Sequence, residues 1–121
     1  MKIAFPIDSF NEKEALKTKL ARHFGPANFY LITDDNGNFL EKIKNTSTHH
    51  GGNKLPPDLL KEYNINIMIC NDLGMKALER FDNLNIEVFL SQEMTIEKSL
   101  QLWKKNKLSK ALSKNVCHGN H

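Results

Sequence analysis

The residue that first suggests chemistry is His23, which opens the motif HFGP, two residues before the apolar run FYLI. Gly25 and Pro26 are turn-forming residues, so His23 and Phe24 are expected on a rigid turn at the mouth of a sheet. An imidazole in that place can ligate a metal, transfer a proton or cap a loop carbonyl. The motif alone leaves these roles open.

A second candidate is the segment HHGG, which comprises His49, His50, Gly51 and Gly52. Two histidines and two glycines in a loop can approach a ligand closely, because glycine has no side chain. The alternative is a mobile surface loop without a ligand, and the segment by itself favours that alternative.

A third candidate is CNDLGM, where an apolar run ends and a helix is predicted to begin. Free N–H groups near Gly74 and Met75 would suit an anion, as they do where a parallel strand leads into a helix. The segment matches neither the dinucleotide-binding glycine pattern nor a P-loop, so it supports a nucleotide site only weakly. Cys70 ends the apolar run and is predicted to be a small core residue.

The fourth candidate is the C-terminal segment CHGNH, with Cys117, His118 and His121. One thiolate and two imidazoles suit a borderline or soft transition metal. No second cysteine pair completes a structural zinc site. Transient binding of a metal at this tail and a disordered tail without a metal remain equal alternatives.

Two other function classes are weaker alternatives. A metal-dependent nuclease needs several gathered carboxylates, and Asp8 is the only well-placed one. A basic interaction module would use the lysines near the C-terminus, and the net charge is +3 with a pI near 8.9. That module needs aromatic residues exposed among the lysines, whereas the spacing of Trp103 predicts a core position.

Composition predicts one soluble domain. The 121 residues are 40% hydrophobic and 26% charged, and the two cysteines make no disulfide framework. A reducing cytoplasm is the simplest compartment. The apolar runs are too short to span a bilayer, and the first residues lack the features of a signal peptide.

The elements that must position these candidates follow the order β, β, β, α, β, α, β, α. Alternating strands and helices in the second half predict parallel βαβ units in a mixed α/β sheet of about five strands. Pro6 predicts that the first strand lies at an edge or ends there. Asn71 and Asp72 are expected to cap the second helix and Thr95 the third. The domain is predicted to span residues 1–108, followed by a flexible tail at residues 109–121.

Together these segments resemble the dinitrogenase iron–molybdenum cofactor biosynthesis family, which includes NifX-like and NafY-like carriers and the C-terminal domain of NifB. The resemblance rests on KIAFPID, HFGPANFYLI, NTSTHHGG, INIMICNDLGMKALERF, IEVF and NVCHGNH, in that order. It implies a ribonuclease H-like three-layer fold, with a five-stranded mixed sheet and helices on both faces.

The resemblance also implies a carrier that is not an enzyme and that transiently holds an iron–sulfur or iron–molybdenum–sulfur cluster, or a precursor. It implies His23 as the cluster ligand, a contribution from His50, Gly51 and Gly52, and Gly74 at the helix turn. A four-iron cluster is normally held by about four thiolates. Two cysteines therefore suit a protein that carries such a cluster transiently better than one that binds it permanently. The expected partners are proteins that assemble or accept clusters, without membrane or nucleic acid, and the chain is expected to be a monomer or weak homodimer.

Overall fold

The computed structural model describes residues 1–47, 54–92 and 95–112. In these ranges the strands are β1 (Lys2–Ile7), β2 (Phe29–Asp34), β3 (Phe39–Lys44), β4 (Ile67–Cys70), β5 (Glu87–Leu90) and β6 (Ser109–Ala111). The helices are α1 (Pro56–Glu62), α2 (Met75–Asn83) and α3 (Ile96–Lys104), and a 3-10 turn spans Ala15–Lys17. None of the helices in the described ranges has the length and apolar character that crossing a membrane requires.

The strands form one mixed sheet in the order β3-β2-β1-β4-β5-β6. β4 runs parallel to β1 and to β5, and the other neighbours are antiparallel. The mixed α/β sheet is as predicted, but the count of five strands is wrong because the sheet has six. The sixth strand pairs with β5 and occupies residues 109–111, which the sequence assigned to the tail. Three residues with one buried side chain are too few for a periodic signal.

Helices cover both faces of the sheet. On one face, Leu60 of α1 and Phe81 of α2 pack in a core with Met68 of β4. On the other face, Ile96 and Leu100 of α3 pack in a second core. β4 lies between the two layers and is buried at all its positions, which is why it reads as a continuous apolar run. The predicted three layers are confirmed.

Pro6 does not mark an edge, because β1 is a central strand between β2 and β4. β4 is paired with β1 at Ile3 and Ala4, before the proline, so the missing N–H of Pro6 is not needed there. The Pro6 carbonyl accepts a hydrogen bond from the Ala21 N–H at 2.8 Å. This bond ties the segment before His23 to the centre of the sheet.

The second helix begins later than predicted. Its N-cap is Gly74, and no side chain caps its first turn. Asn71 and Asp72 therefore do not cap it, and they lie in the connection between β4 and α2. The prediction for the third helix is confirmed, since the Thr95 side chain accepts a hydrogen bond from the Lys98 N–H at 3.2 Å.

Candidate functional site

The HFG turn is held by side chains from two neighbouring strands or their ends. The Tyr30 hydroxyl donates to the Phe24 carbonyl at 3.1 Å. The Asn45 amide donates to the Gly25 carbonyl at 3.0 Å and to the Ala27 carbonyl at 2.8 Å. Three backbone carbonyls of this one loop thus accept hydrogen bonds from buried or half-buried side chains, which makes the loop rigid.

Phe24 anchors the turn and leaves His23 outside. The Phe24 side chain is 2% exposed, and its ring centroid lies 5.3 Å from that of Phe81 and 5.5 Å from that of Tyr30. Burial raises the pKa of Tyr30, so its hydroxyl stays protonated and remains a donor. The His23 side chain is 68% exposed. The structure therefore presents a solvent-facing imidazole on a rigid backbone, as the sequence predicted.

A cleft of about 350 Å³ adjoins this turn. It lies between the HFG turn, the beginning of α1 and the beginning of α2. Its walls are mostly apolar, and Lys76 brings a cation to them. The lining residues are Phe24, Gly25, Leu55, Pro56, Pro57, Gly74, Lys76 and Ala77.

Two glycines from distant parts of the chain leave room in this cleft. A Cβ atom on Gly25 or on Gly74 would meet no atom within 4 Å. Gly74 has φ −76° and ψ 162°, a conformation open to any residue. Gly25 is outside the left-handed region too, since Gly37 is the glycine with positive φ in the described ranges. Neither backbone conformation nor packing within the described protein requires glycine at these two places.

The beginning of α2 makes this end of the cleft electropositive. The first N–H groups of a helix lack partners inside the helix, and Gly74 offers no side-chain cap. The first turn carries no acidic residue, whereas Lys76 lines the cleft. Helix dipole and lysine therefore attract an anion to the same wall. Met75, the other predicted residue here, is half-buried at the first position of α2 and does not line the cleft.

Asp72 is the charged neighbour of His23. Its Oδ1 lies 3.8 Å from His23 Nδ1, and its side chain is 62% exposed. Asp72 stands two residues before Gly74, so this contact joins the HFG turn to the entrance of α2. The structure thus brings Phe24, Gly25 and Gly74 together in the cleft, whereas His23 is not a lining residue and adjoins the cleft as the neighbour of Phe24.

The remaining predicted residues lie outside the described part of the chain. These are His49, His50, Gly51 and Gly52, and in the tail Cys117, His118 and His121. The described residues on the two sides of the segment 48–53 make the following contacts. Before it, the Ser47 N–H donates to Asn45 Oδ1 at 3.1 Å; after it, Leu55 lines the cleft.

Sequence reasoning missed Lys76 and the wall formed by Leu55, Pro56 and Pro57. A signal for Lys76 existed, because a lysine in the first turn of a helix opposes the usual preference for acidic residues there. No such signal marks the other three, since a proline pair at the start of a helix is ordinary capping. Their place in the cleft depends on how α1 packs beside the HFG turn.

The described residues contain no group of three or more His, Cys, Asp or Glu side chains that could hold a metal ion. Asp8, the predicted candidate for a hydrolase-type metal ligand, is exposed after β1. Cys70 is fully buried, and burial raises the pKa of its thiol, so it is a core residue as predicted.

Comparisons with known proteins agree with this architecture. An uncharacterized protein of Methanocaldococcus jannaschii is 30% identical over 115 residues, covering 91% of each chain. The apo form of the orange protein from Desulfovibrio gigas has a TM-score of 0.75 at 16% identity, covering 91% of this chain and 92% of its own. A candidate NifB protein from Thermotoga has a TM-score of 0.71 at 20% identity, covering 90% and 91%. At these identities the two structures show a shared fold alone.

The family assignment comes from the sequence itself. Residues 1–106, which include the HFG turn, the cleft and both glycines that line it, match the dinitrogenase iron–molybdenum cofactor family. The chain therefore belongs to the dinitrogenase iron–molybdenum cofactor family.

Proposed function

We propose that the protein is a non-catalytic carrier for an iron–sulfur or iron–molybdenum–sulfur cluster, or for a precursor of one. The cargo would sit in the cleft beside the HFG turn, with His23 as its ligand. Family membership supports the kind of cargo. The ribonuclease H-like classification that the resemblance implies stays a prediction, and the observed order β3-β2-β1-β4-β5 is compatible with it.

The observation that carries the proposal is the space left by Gly25 and Gly74. Both line the same cleft, and neither glycine is demanded by its backbone angles or by neighbouring atoms. A cargo that touches the backbone closely would need this space. The uncapped start of α2 and Lys76 would supply positive potential for the sulfide-rich, anionic side of a cluster.

The available ligands suit temporary holding. Cys70 is buried and has a raised pKa, so it does not offer a thiolate to the cleft. His23 supplies one exposed nitrogen, and neutral imidazole is a suitable ligand for iron. A site with one protein ligand and a few backbone donors would bind weakly enough to pass its cargo to an assembly or accepting protein, which is the kind of partner we propose.

The test compares cluster loading in the wild type and in His23→Ala under anaerobic conditions, with extracted iron–molybdenum cofactor as the probe. Bound iron and thermal stability are measured for both. We expect His23→Ala to lose most of the bound iron. Its unfolding free energy should change by less than about 0.5 kcal/mol, because an exposed loop side chain contributes little packing.

The matched control is a variant in which Cys117, His118 and His121 are all replaced by alanine. If it binds iron as well as the wild type while His23→Ala does not, the cleft holds the cargo. If the loss follows the tail variant instead, the tail is the metal site. An unchanged His23→Ala would remove the ligand on which the carrier proposal depends.

A further inference from the structure

We infer that Asp72 is a positioning residue for His23: its carboxylate faces Nδ1, so that Nε2 is the nitrogen left for the metal of the cargo. The inference rests on the proposed function for the identity of the cargo. Its geometric basis is independent, because it is the contact of 3.8 Å between Asp72 Oδ1 and His23 Nδ1.

Each of the two segments that make this contact is anchored to the sheet nearby. The segment that carries His23 is tied to β1 by the bond from the Ala21 N–H to the Pro6 carbonyl at 2.8 Å. Asp72 follows Cys70, whose carbonyl accepts from the Ser91 N–H at 2.9 Å. The two side chains therefore extend from positions that lie two residues from anchored points of the sheet.

A negative charge at Asp72 is unexpected beside a cleft wall that attracts anions. The cleft wall attracts anions through Lys76 and the start of α2, and a carboxylate beside it opposes an anionic cargo. Facing His23 gives that carboxylate a useful role. Histidine ligands commonly direct their second nitrogen to a carboxylate, which fixes the tautomer and ring orientation and makes the ligating nitrogen more basic.

The His23–Asp72 contact is within ion-pair range but is not a hydrogen bond. At 3.8 Å the pair is longer than a hydrogen bond of about 2.7–3.2 Å. Such bonds in unloaded sites are often long and tighten when the ligand arrives. Both side chains are more than half exposed, so a small rotation of the imidazole toward the carboxylate meets no packed wall.

The first test reads the tautomer directly. Nitrogen-15 NMR of the imidazole at pH 8.5 is recorded for the unloaded wild type, Asp72→Asn and Asp72→Ala. We expect the proton of His23 on Nδ1 in the wild type, partly kept in Asp72→Asn, whose amide oxygen still accepts, and lost in Asp72→Ala. A wild-type proton on Nε2, or an unchanged tautomer in Asp72→Ala, would overturn the inference.

The second test is a double-mutant cycle on loading with extracted iron–molybdenum cofactor. Asp72→Ala should weaken binding about tenfold, as loss of such an outer partner typically does. The same substitution should have no effect when His23 is already alanine, because Asp72 acts through His23. Glu79→Ala, which removes a negative charge further along α2, is the control for net charge and should leave binding unchanged.

The outcomes separate this inference from the carrier proposal. Tighter binding after Asp72→Ala in both backgrounds would mean that the carboxylate only repels the cargo, and equal weakening in both would mean that it acts without His23. Either result refutes positioning while leaving the carrier intact. If His23→Ala alone binds normally, the carrier proposal loses its ligand, and the NMR result still decides whether Asp72 orients His23.

Discussion

Replacing Gly74 with serine should make the protein more stable and a poorer carrier at the same time. Gly74 is the N-cap of α2 with φ −76° and ψ 162°, the extended geometry in which a serine cap works. A Cβ atom there meets nothing within 4 Å, so the substitution causes no clash inside the protein. The new hydroxyl would accept a hydrogen bond from an N–H of the first turn.

The stability gain has two parts. Serine is a better N-cap than glycine by a few tenths of a kcal/mol. Loss of the conformational freedom of glycine in the unfolded chain adds about 0.4–1 kcal/mol. The sum is about 1 kcal/mol, which raises the Tm of a domain of this size by about 3–5 °C.

Cargo affinity should change in the opposite direction. The serine hydroxyl occupies an N–H donor that the cargo would use, and its Cβ fills space beside the backbone. One hydrogen bond to a charged group is worth about 1.5–3 kcal/mol, so affinity should fall about 10- to 100-fold. Thermal unfolding and bound iron after anaerobic loading measure the two effects on the same sample.

Thr95→Gly is the matched control, because it removes the serine-like cap of α3 on the opposite face of the sheet. It should lower stability by about 1 kcal/mol, because the cap is lost and glycine adds freedom to the unfolded chain, and it should leave cargo binding unchanged. A Gly74→Ser protein that is more stable and binds normally would refute the use of the α2 start by the cargo. A less stable one would show that glycine is needed there for folding.

Three further predictions concern the surroundings of the cleft and the ends of the sheet. Tyr30→Phe removes a buried hydrogen bond to the HFG turn and should cost about 1 kcal/mol in chemical denaturation. Deleting residues 108–121 removes β6 and should lower Tm relative to a chain shortened only by residues 113–121. The side chain of Asn38 and nearby N–H groups lower the pKa of Asp34. The ionised Asp34 carboxylate therefore stabilises the folded state at pH values above the usual carboxyl pKa, and this stabilisation is lost as the pH falls through the lowered pKa. Asp34→Asn should therefore weaken the dependence of Tm on acid pH.

Local patterns predicted most of the elements. The apolar run before residue 71 is a strand buried on both faces, and Thr95 caps α3 as its sequence context suggested. The prediction of an edge strand from Pro6 was wrong because strand register is a long-range property. β4 pairs with β1 before the proline. The prediction that Asp72 caps α2 was wrong because the Cys70 carbonyl still accepts a hydrogen bond from the Ser91 N–H. The chain therefore leaves the sheet only after Cys70.

The rigid turn at His23 could be predicted from Gly25 and Pro26, but the side chains that make it rigid could not. That rigidity comes from Tyr30 and Asn45, and the amide of Asn45 reaches back 20 residues to the Gly25 carbonyl. The sequence pattern of a single strand does not predict a hydrogen bond between side chain and backbone over such a distance in sequence. Lys76 did carry a sequence signal as a lysine in the first turn of a helix, but its place in the cleft depends on where α2 begins.

Gly25 and Gly74 are the residues that connect the fold to the proposed function. They are 49 positions apart in sequence, yet they line one cleft. A glycine needed for folding has a positive φ or a crowded Cβ position, and Gly37 is such a case, with φ +90° and Leu100 at 3.3 Å from its virtual Cβ. Gly25 and Gly74 have neither feature. Because neither feature explains them, the carrier proposal assigns both glycines to close contact with the cargo, and under that proposal a substitution that stabilises the protein is also expected to weaken cargo binding.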